Sequence, residues 1–397
     1  MSLNHAIIHS ASCFVNNVYQ PALCGYQLSE AIDAVTNTGT IDFSSDLTTA
    51  SGLIRDWVQV YEANGVTGGS AVLVYSGFVT TGTADRSPTY TNRLETWGWL
   101  GLLQNNQLDA RGIALGASLN NDGTLSALGV STDLALTYVL ELGGVPSASI
   151  NIASTPYTGV SAYGPSATYL LASVIPYWAQ DVSFFDVCTD ILSYNGWQVY
   201  EGPDGQIYWT FWSPTPSASP SYTYSEGETT YYGYRNLLYS RNDKYTFNRV
   251  EFTGVDVSGI AQCEYVYAIK QGQSVKELNG IRVVPDNPLN VNDPGPWGYS
   301  TYAYQSNIVD VVNMAVYAAQ RIYSETNNIN EEISFDAIPN PYLKLGMTIA
   351  ISGCTQYKGL PNGNWVVKQI DRAFSKDDKP ITTITCNRGN FGGSRYS

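Results

Sequence analysis

Pro339-Asn340-Pro341-Tyr342-Leu343-Lys344-Leu345-Gly346-Met347-Thr348-Ile349 is a turn that feeds a strand. Gly346 stands between Leu345 and Met347 where the turn enters the strand, a place that calls for φ > 0 and hence for a residue without a Cβ. Working outward, Ile333-Ser334-Phe335-Asp336 precedes it as a strand candidate, and 347–352, 364–374 and 381–387 follow as three more. Lys376-Asp377-Asp378-Lys379-Pro380 is the turn between the last two. Upstream, 307–324 repeats Ile308, Val311, Val312, Ala315, Ala319 and Ile322 at helical spacing, capped by Ser306 or Asn307. Before that helix, 285–304 is a Pro/Asn/Gly loop, and 248–252 and 264–269 are strand candidates.

The N-terminal end has a similar texture. Residues 40–43, 54–61 and 71–75 are rich in β-branched and aromatic residues, with Asn64-Gly65 and Gly68-Gly69 punctuating the last connection. A small curved antiparallel sheet or barrel is the natural solution. In the middle, Ser183 with Asp186 resembles a capping box that opens a helix carrying Phe184, Val187, Cys188, Ile191 and Leu192 on one stripe, stopped at Asn195-Gly196. A hairpin follows at 197–200 and 206–210 around Gly202-Pro203-Asp204-Gly205, then a Pro/Ser/Tyr-rich loop at 213–225. Residues 111–180 are rich in Gly, Ser and Ala and show no clear period.

Composition narrows the function. The chain has 397 residues, 44% hydrophobic and only 14% charged, with 30 Tyr and 9 Trp. Soluble proteins average about 25% charged residues, so the surface is neutral-polar and aromatic, which favours a large assembly interface. Twenty basic against 34 acidic residues give −14, the wrong sign for a nucleic-acid binder. The charge is split: 1–234 hold 19 acidic and four basic residues (Arg55, Arg86, Arg93, Arg111), 235–397 hold 15 and 16, and the first lysine is Lys244. Halves so different face different surroundings. His5 and His9 are the only histidines, so serine- or cysteine-histidine catalysis and most zinc chemistry lack their imidazole. Cys13, Cys24, Cys188, Cys263, Cys354 and Cys386 form no C-x-x-C pair and are expected as buried thiols. No basic, apolar leader is visible at 1–24, and no apolar run approaches the ~18 residues of a membrane span; a soluble protein is expected.

Candidate chemistry is thin. Glu331-Glu332 and Asp377-Asp378 are adjacent acids that a strand would point to opposite faces, so they are expected at a solvated edge or turn rather than as a glycosidase pair. The stretch 286–293 alternates oxygen-bearing side chains like a calcium loop but lacks the EF-hand glycine and glutamate. No phosphate-binding glycine loop or nucleophile elbow occurs. Trp197, Tyr200, Tyr208, Trp209, Phe211 and Trp212 are either a sugar-stacking platform or a hairpin packed on its helix, the second being the commoner outcome. No catalytic, cofactor or metal residue is assigned.

The C-terminal order of helix, strand, Asn340-Pro341…Gly346 turn and two long strands ending at Asn387-Arg388-Gly389 resembles the closing barrel of phage tail baseplate-hub proteins, a fold shared with the N-terminal part of the VgrG spike proteins of type VI secretion. Asn340, Pro341 and Gly346 match the phrase that introduces a barrel strand there, while Met347 replaces the usual acid. Asn248–Gly254 is similar to the strand that opens that barrel, and 183–212 resembles the family's middle domain. The resemblance implies a mainly β protein with a few helices, two tube-like antiparallel β-barrels (1–105 and 242–397, the second with helix 307–324) flanking a mixed α/β middle at 106–241. It implies a homotrimer forming a pseudo-sixfold ring between a sixfold tail tube or distal tail protein and a threefold spike or tip. Tape-measure protein and DNA pass through the ring without specific binding, in a virion part made in the host cytoplasm. Cysteine spacing gives no basis for carrying over an iron–sulfur cluster, and no cofactor is expected. A carbohydrate- or receptor-binding tail component and a tail-associated cell-wall hydrolase are the competing classes.

Overall fold

The computed structural model describes residues 9–32, 37–44, 55–85, 91–109, 112–114, 117–119, 125–127, 132–152, 177–192, 197–211, 216–227, 232–242, 249–255, 261–268, 273–274, 277–278, 281–282, 301–306, 319, 322, 330–376 and 379–389. It is mainly β. The first seven strands are β1 Ser10–Val15, β2 Val18–Gln20, β3 Leu23–Ala31, β4 Thr38–Phe43, β5 Trp57–Ala63, β6 Val72–Asp85 and β7 Thr91–Trp97. They pair antiparallel in the order β2-β1-β5-β6-β7-β4-β3. Alternation dictates which face is buried: Cys13, Val15, Tyr26, Leu28, Ile41, Phe43, Val58, Val60 and Leu94 fill one side. The strand expected at 54–61 is displaced C-terminally to Trp57–Ala63, because Arg55 takes φ +77, outside the extended region a strand needs. β6 runs ten residues past the expected 71–75, with a register shift between Val79 and Thr81 that lets it keep pairing along its length.

The C-terminal part is a closed barrel. Its staves are β11 Tyr222–Glu226, β12 Gly233–Asn242, β16 Asn330–Ala337, β17 Thr348–Ser352, β18 Gly363–Ser375 and β19 Ile381–Arg388. The ring runs β18-β17-β11-β12-β16-β19 and back to β18. Phe335, Ile349, Ile351, Trp365, Val367, Ile370, Ile384 and Cys386 fill it. The Pro/Ser/Tyr-rich segment 213–225, expected as a loop, is not all loop, since Tyr222–Glu226 pairs parallel with β17. Two of the six staves, β11 and β12, come from the part of the chain up to residue 242.

A middle unit is drawn from the segment between the N-terminal sheet and the first stave, and from the segment between β12 and β16; its main elements are α1 Trp99–Asn105, α2 Thr132–Leu142, β8 Ile150–Ile152, α3 Phe184–Leu192, β9 Trp197–Glu201, β10 Ile207–Phe211, β13 Arg249–Val255, β14 Ala261–Ala268 and β15 Thr301–Ser306. α3 starts where expected: the Ser183 hydroxyl accepts the Asp186 amide at 3.0 Å. β9 and β10 form the expected hairpin. β15 overlaps the last four residues of the expected 285–304 loop and pairs parallel with β13; the 286–293 stretch lies outside the described residues. Most of helix 307–324 also lies outside them, but Ala319 and Ile322 are helical and buried in the middle core with Leu136, Val187, Trp209 and Phe252, not in the barrel.

Gly346 takes φ +77, and its amide donates to the Val367 carbonyl at 2.8 Å. Gly346→Val should therefore destabilise by about 1–3 kcal/mol, while Lys344→Ala, at an exposed position two residues earlier, should be near neutral. Urea midpoints check this; equal midpoints would remove the special backbone role.

Candidate functional site

β18 joins the two β units. Its residues 369–375 pair antiparallel with β3, from Gln369 opposite Ala31 to Ser375 opposite Gly25. One sheet thus passes from the N-terminal unit into the barrel.

That continuity creates a shared outer face. Across seven strands the register aligns Trp97, Thr38, Ser29, Asp371, Thr383, Asp336 and Arg235 in one row. The row is tied laterally: the Ser29 hydroxyl donates to Asp371 at 2.5 Å, Thr383 to Asp336 at 2.8 Å, and the Asn236 amide to Asp336 at 2.7 Å. Gln369 gives Asp371 a further bond at 2.8 Å. A parallel row holds Glu95, Thr40, Gln27, Ala373 and Ile381. Between them runs a shallow groove of about 330 Å³ that crosses the seam. Two nearby cations have carboxylate partners, Arg93 with Asp42 at 2.7 Å and Lys368 with Glu332 at 3.7 Å, and exposed Arg235 ends the row opposite Asp336. Between its two ends the row consists of hydroxyls and carboxylates.

Beneath it, on the buried side, lies an ionic cluster. Arg372 and Glu62 are both buried, with Nη1 of Arg372 3.7 Å from Oε2 of Glu62. Tyr26 donates to Glu62 at 2.6 Å, and His9 lies 3.4 Å from the Tyr26 hydroxyl. Burial holds His9 below its ordinary range, with Glu62 opposing that shift. Arg372 also donates to the carbonyls of Leu343 at 3.2 Å and Asn340 at 3.4 Å. The expected turn motif is thereby placed: Asn340 and Pro341 are buried, the Asn340 side chain accepts the Tyr342 amide at 3.1 Å, and the Asn64 side chain of the N-terminal unit donates to the Pro339 carbonyl at 2.8 Å. Two further buried carboxylates lie near. Burial pushes Glu30 up to about 7, against the pull of Arg372, with Glu62, Asp204 and Asp371 adding to the rise. Burial pushes Glu201 up to about 8, although it accepts the Trp99 amide at 2.9 Å and the Leu100 amide at 3.4 Å. That carboxylate fills the space a Cβ at Gly98 would take.

Sequence inspection passed over Glu30, Glu62 and Arg372. The signal was there: Tyr26-x-Leu28-x-Glu30 and Ile370-x-Arg372 put charge on the apolar parity of a strand. Glu331 is not a solvated edge as expected; it pairs with Arg388 at 2.7 Å and accepts from Tyr239 at 2.7 Å. Asp377-Asp378 lies outside the described residues. Of the aromatic set, Trp209 is fully buried and Tyr200 stacks on Tyr208 at 5.0 Å, while Trp212 lies outside the described residues. Cys13, Cys188, Cys354 and Cys386 are buried free thiols and Cys24 is half-buried. Among the described residues no cluster of three metal-ligating side chains occurs, and no helix is long and apolar enough to cross a membrane.

No family model matches the sequence, and no curated protein is significantly similar to it. Solved structures do match. A tail protein from Neisseria meningitidis MC58 superposes with TM-score 0.65 at 11% identity, covering 97% of each chain. The 43 kDa tail protein of prophage MuSo2 from Shewanella oneidensis gives 0.60 at 10%, covering 96% of this chain and 98% of its own. The chain has the phage tail-protein fold. An Escherichia coli type VI secretion component, described as structurally similar to T4 tail proteins gp27 and gp5, gives 0.50 at 10% and covers 97% of this chain and 78% of its own. The tail-protein fold therefore extends over the N-terminal sheet and the middle unit, where the sequence resemblance was weakest, as well as the barrel.

The cluster makes two predictions. Arg372→Met strands Glu62 without its cation and should cost about 3–5 kcal/mol; an unchanged urea midpoint would contradict this. Glu30 holds its proton more tightly folded than unfolded, so its contribution to stability falls as pH rises from its ordinary value of 4.5 through about 7. Glu30→Gln should consequently gain melting temperature relative to wild type between about pH 5 and about pH 8. A difference that does not change with pH would show that Glu30 is ionised throughout.

Proposed function

We propose that this chain is a structural part of a phage tail or related injection particle: a baseplate or tail-tip hub. Three copies form a ring joining a sixfold tail tube or distal tail protein to a threefold spike or tip. In this reading the curved N-terminal sheet and the closed barrel act as the two tube-like barrels of each chain, so three chains present six units to the tube. The observation that carries the proposal is the polar row Thr38–Ser29–Asp371–Thr383–Asp336 crossing both β units on one sheet. A wall for a moving polymer needs a smooth surface continuous across unit boundaries and free of unpaired cations. Duplex DNA carries about one negative charge per 1.7 Å and binds exposed lysine or arginine by releasing counterions. A row whose five central residues carry hydroxyls and carboxylates, with its single arginine, Arg235, at one end opposite Asp336, lets tape-measure protein and DNA pass without specific binding. The role needs no catalytic residue or cofactor, and its location is the virion tail, after synthesis in the host cytoplasm.

Sedimentation of the purified chain should give a species of three times the 43.3 kDa chain mass. The same species should not be retained by duplex DNA at low salt. A monomer at every concentration, or salt-sensitive DNA binding, would overturn the hub proposal.

A further inference from the structure

The β17–β18 connection is a rigid projection. Asn362 closes its base, accepting the Cys354 amide at 2.9 Å and donating to the Cys354 carbonyl at 3.0 Å. Arg388, stacked 4.3 Å over Trp365, donates to the Leu360 carbonyl at 3.2 Å, and the Trp365 indole donates to Pro361 at 2.7 Å. From this base the tip holds Tyr357 at φ +50 and Lys358 at φ +56, a conformation that side chains with a Cβ adopt only when their surroundings impose it. The outcome is display: Tyr357 is 42% and Leu360 47% exposed, with Lys358 exposed between them.

A second surface lies on the middle unit. α2 buries Ala135, Leu136, Val139 and Leu140, yet Leu134, Tyr138 and Leu142 on its opposite side are 62%, 53% and 51% exposed. These follow one another at i, i+4 and i+8, a single stripe, with exposed Glu141 beside it. A helix apolar on both sides has a second surface to cover.

We infer that the 355–360 tip of one copy seats on the α2 stripe of a neighbouring copy. Charge selects this occupant: the tip is apolar with a cation, the stripe apolar with an anion. The same polarity runs through the chain, with the acidic excess in 1–234 and every lysine at 244 or beyond. Tip and stripe are different surfaces on different units, so the contact is head-to-tail, the type that closes into a ring. The inference rests on the ring reading above and names its interface.

The test uses the full chain as wild type, Lys358→Glu, Glu141→Lys and the double reversal, with mass followed against concentration by sedimentation and folding checked by circular dichroism. Each single reversal places like charges across the contact and should raise the half-dissociation concentration by about tenfold or more; the double should return it near wild type. Leu360→Asp, which buries a charge in the apolar part, should also dissociate the ring. Folded single variants and Leu360→Asp that keep wild-type dissociation would overturn the inference and leave the ring standing. A wild type monomeric at every concentration would overturn both.

Discussion

The strand Gly363–Ser375 carries the architecture because its two edges serve three neighbours. Along one edge residues 366–373 pair with β19 and close the barrel. Along the other, 363–366 pair with β17 and 369–375 with β3. The exchange of partners occurs at Val367 and Lys368, where the Val367 carbonyl accepts the Gly346 amide at 2.8 Å and the Lys368 carbonyl accepts the Ile32 amide at 3.0 Å. A backbone edge has one row of donors and acceptors, so β17 must leave before β3 can arrive. The left-handed Gly346 turn is what removes β17 at that point. The 339–346 turn is thus a geometric necessity of joining a closed barrel to an open sheet.

The buried charges sit under the same joint. Arg372 reaches from β18 to Glu62 of the N-terminal sheet and to two carbonyls of the 339–346 turn. Such pairs add little net stability over an apolar packing of equal volume, but a mismatched arrangement leaves a charge unpaired. A docking of sheet on barrel that separated Arg372 from Glu62 would therefore be penalised. With the pair in place, the outward residues of β3, β18 and β19 fall into register, and a polar face continuous across two units becomes possible.

Much of this was legible from the residues, and the failures have physical causes. The closing strands, the Ser183 cap and the 202–205 hairpin turn were readable because each depends on local signals. β11 was hidden by Pro214, Pro216 and Pro220, which precede the strand, and by a parallel pairing that demands no hairpin signal nearby. β15 was lost in a proline- and asparagine-rich stretch for the same reason. That the barrel is assembled from 222–242 and 330–388 was not legible, because no local pattern records that a chain leaves a sheet and returns. The ionic cluster was visible only as charge on an inward parity, a signal that needs the partner strand for its meaning.

The central claim is that the face bearing Ser29, Asp371, Thr383 and Asp336 lines the channel of a ring. An electron-microscopic reconstruction of the assembled chain tests it most directly. The account predicts a threefold ring whose inner wall is formed by β4, β3, β18, β19 and β16, with that row facing the channel. A ring that turns this face to the outer rim, or an assembly without a channel, would contradict it.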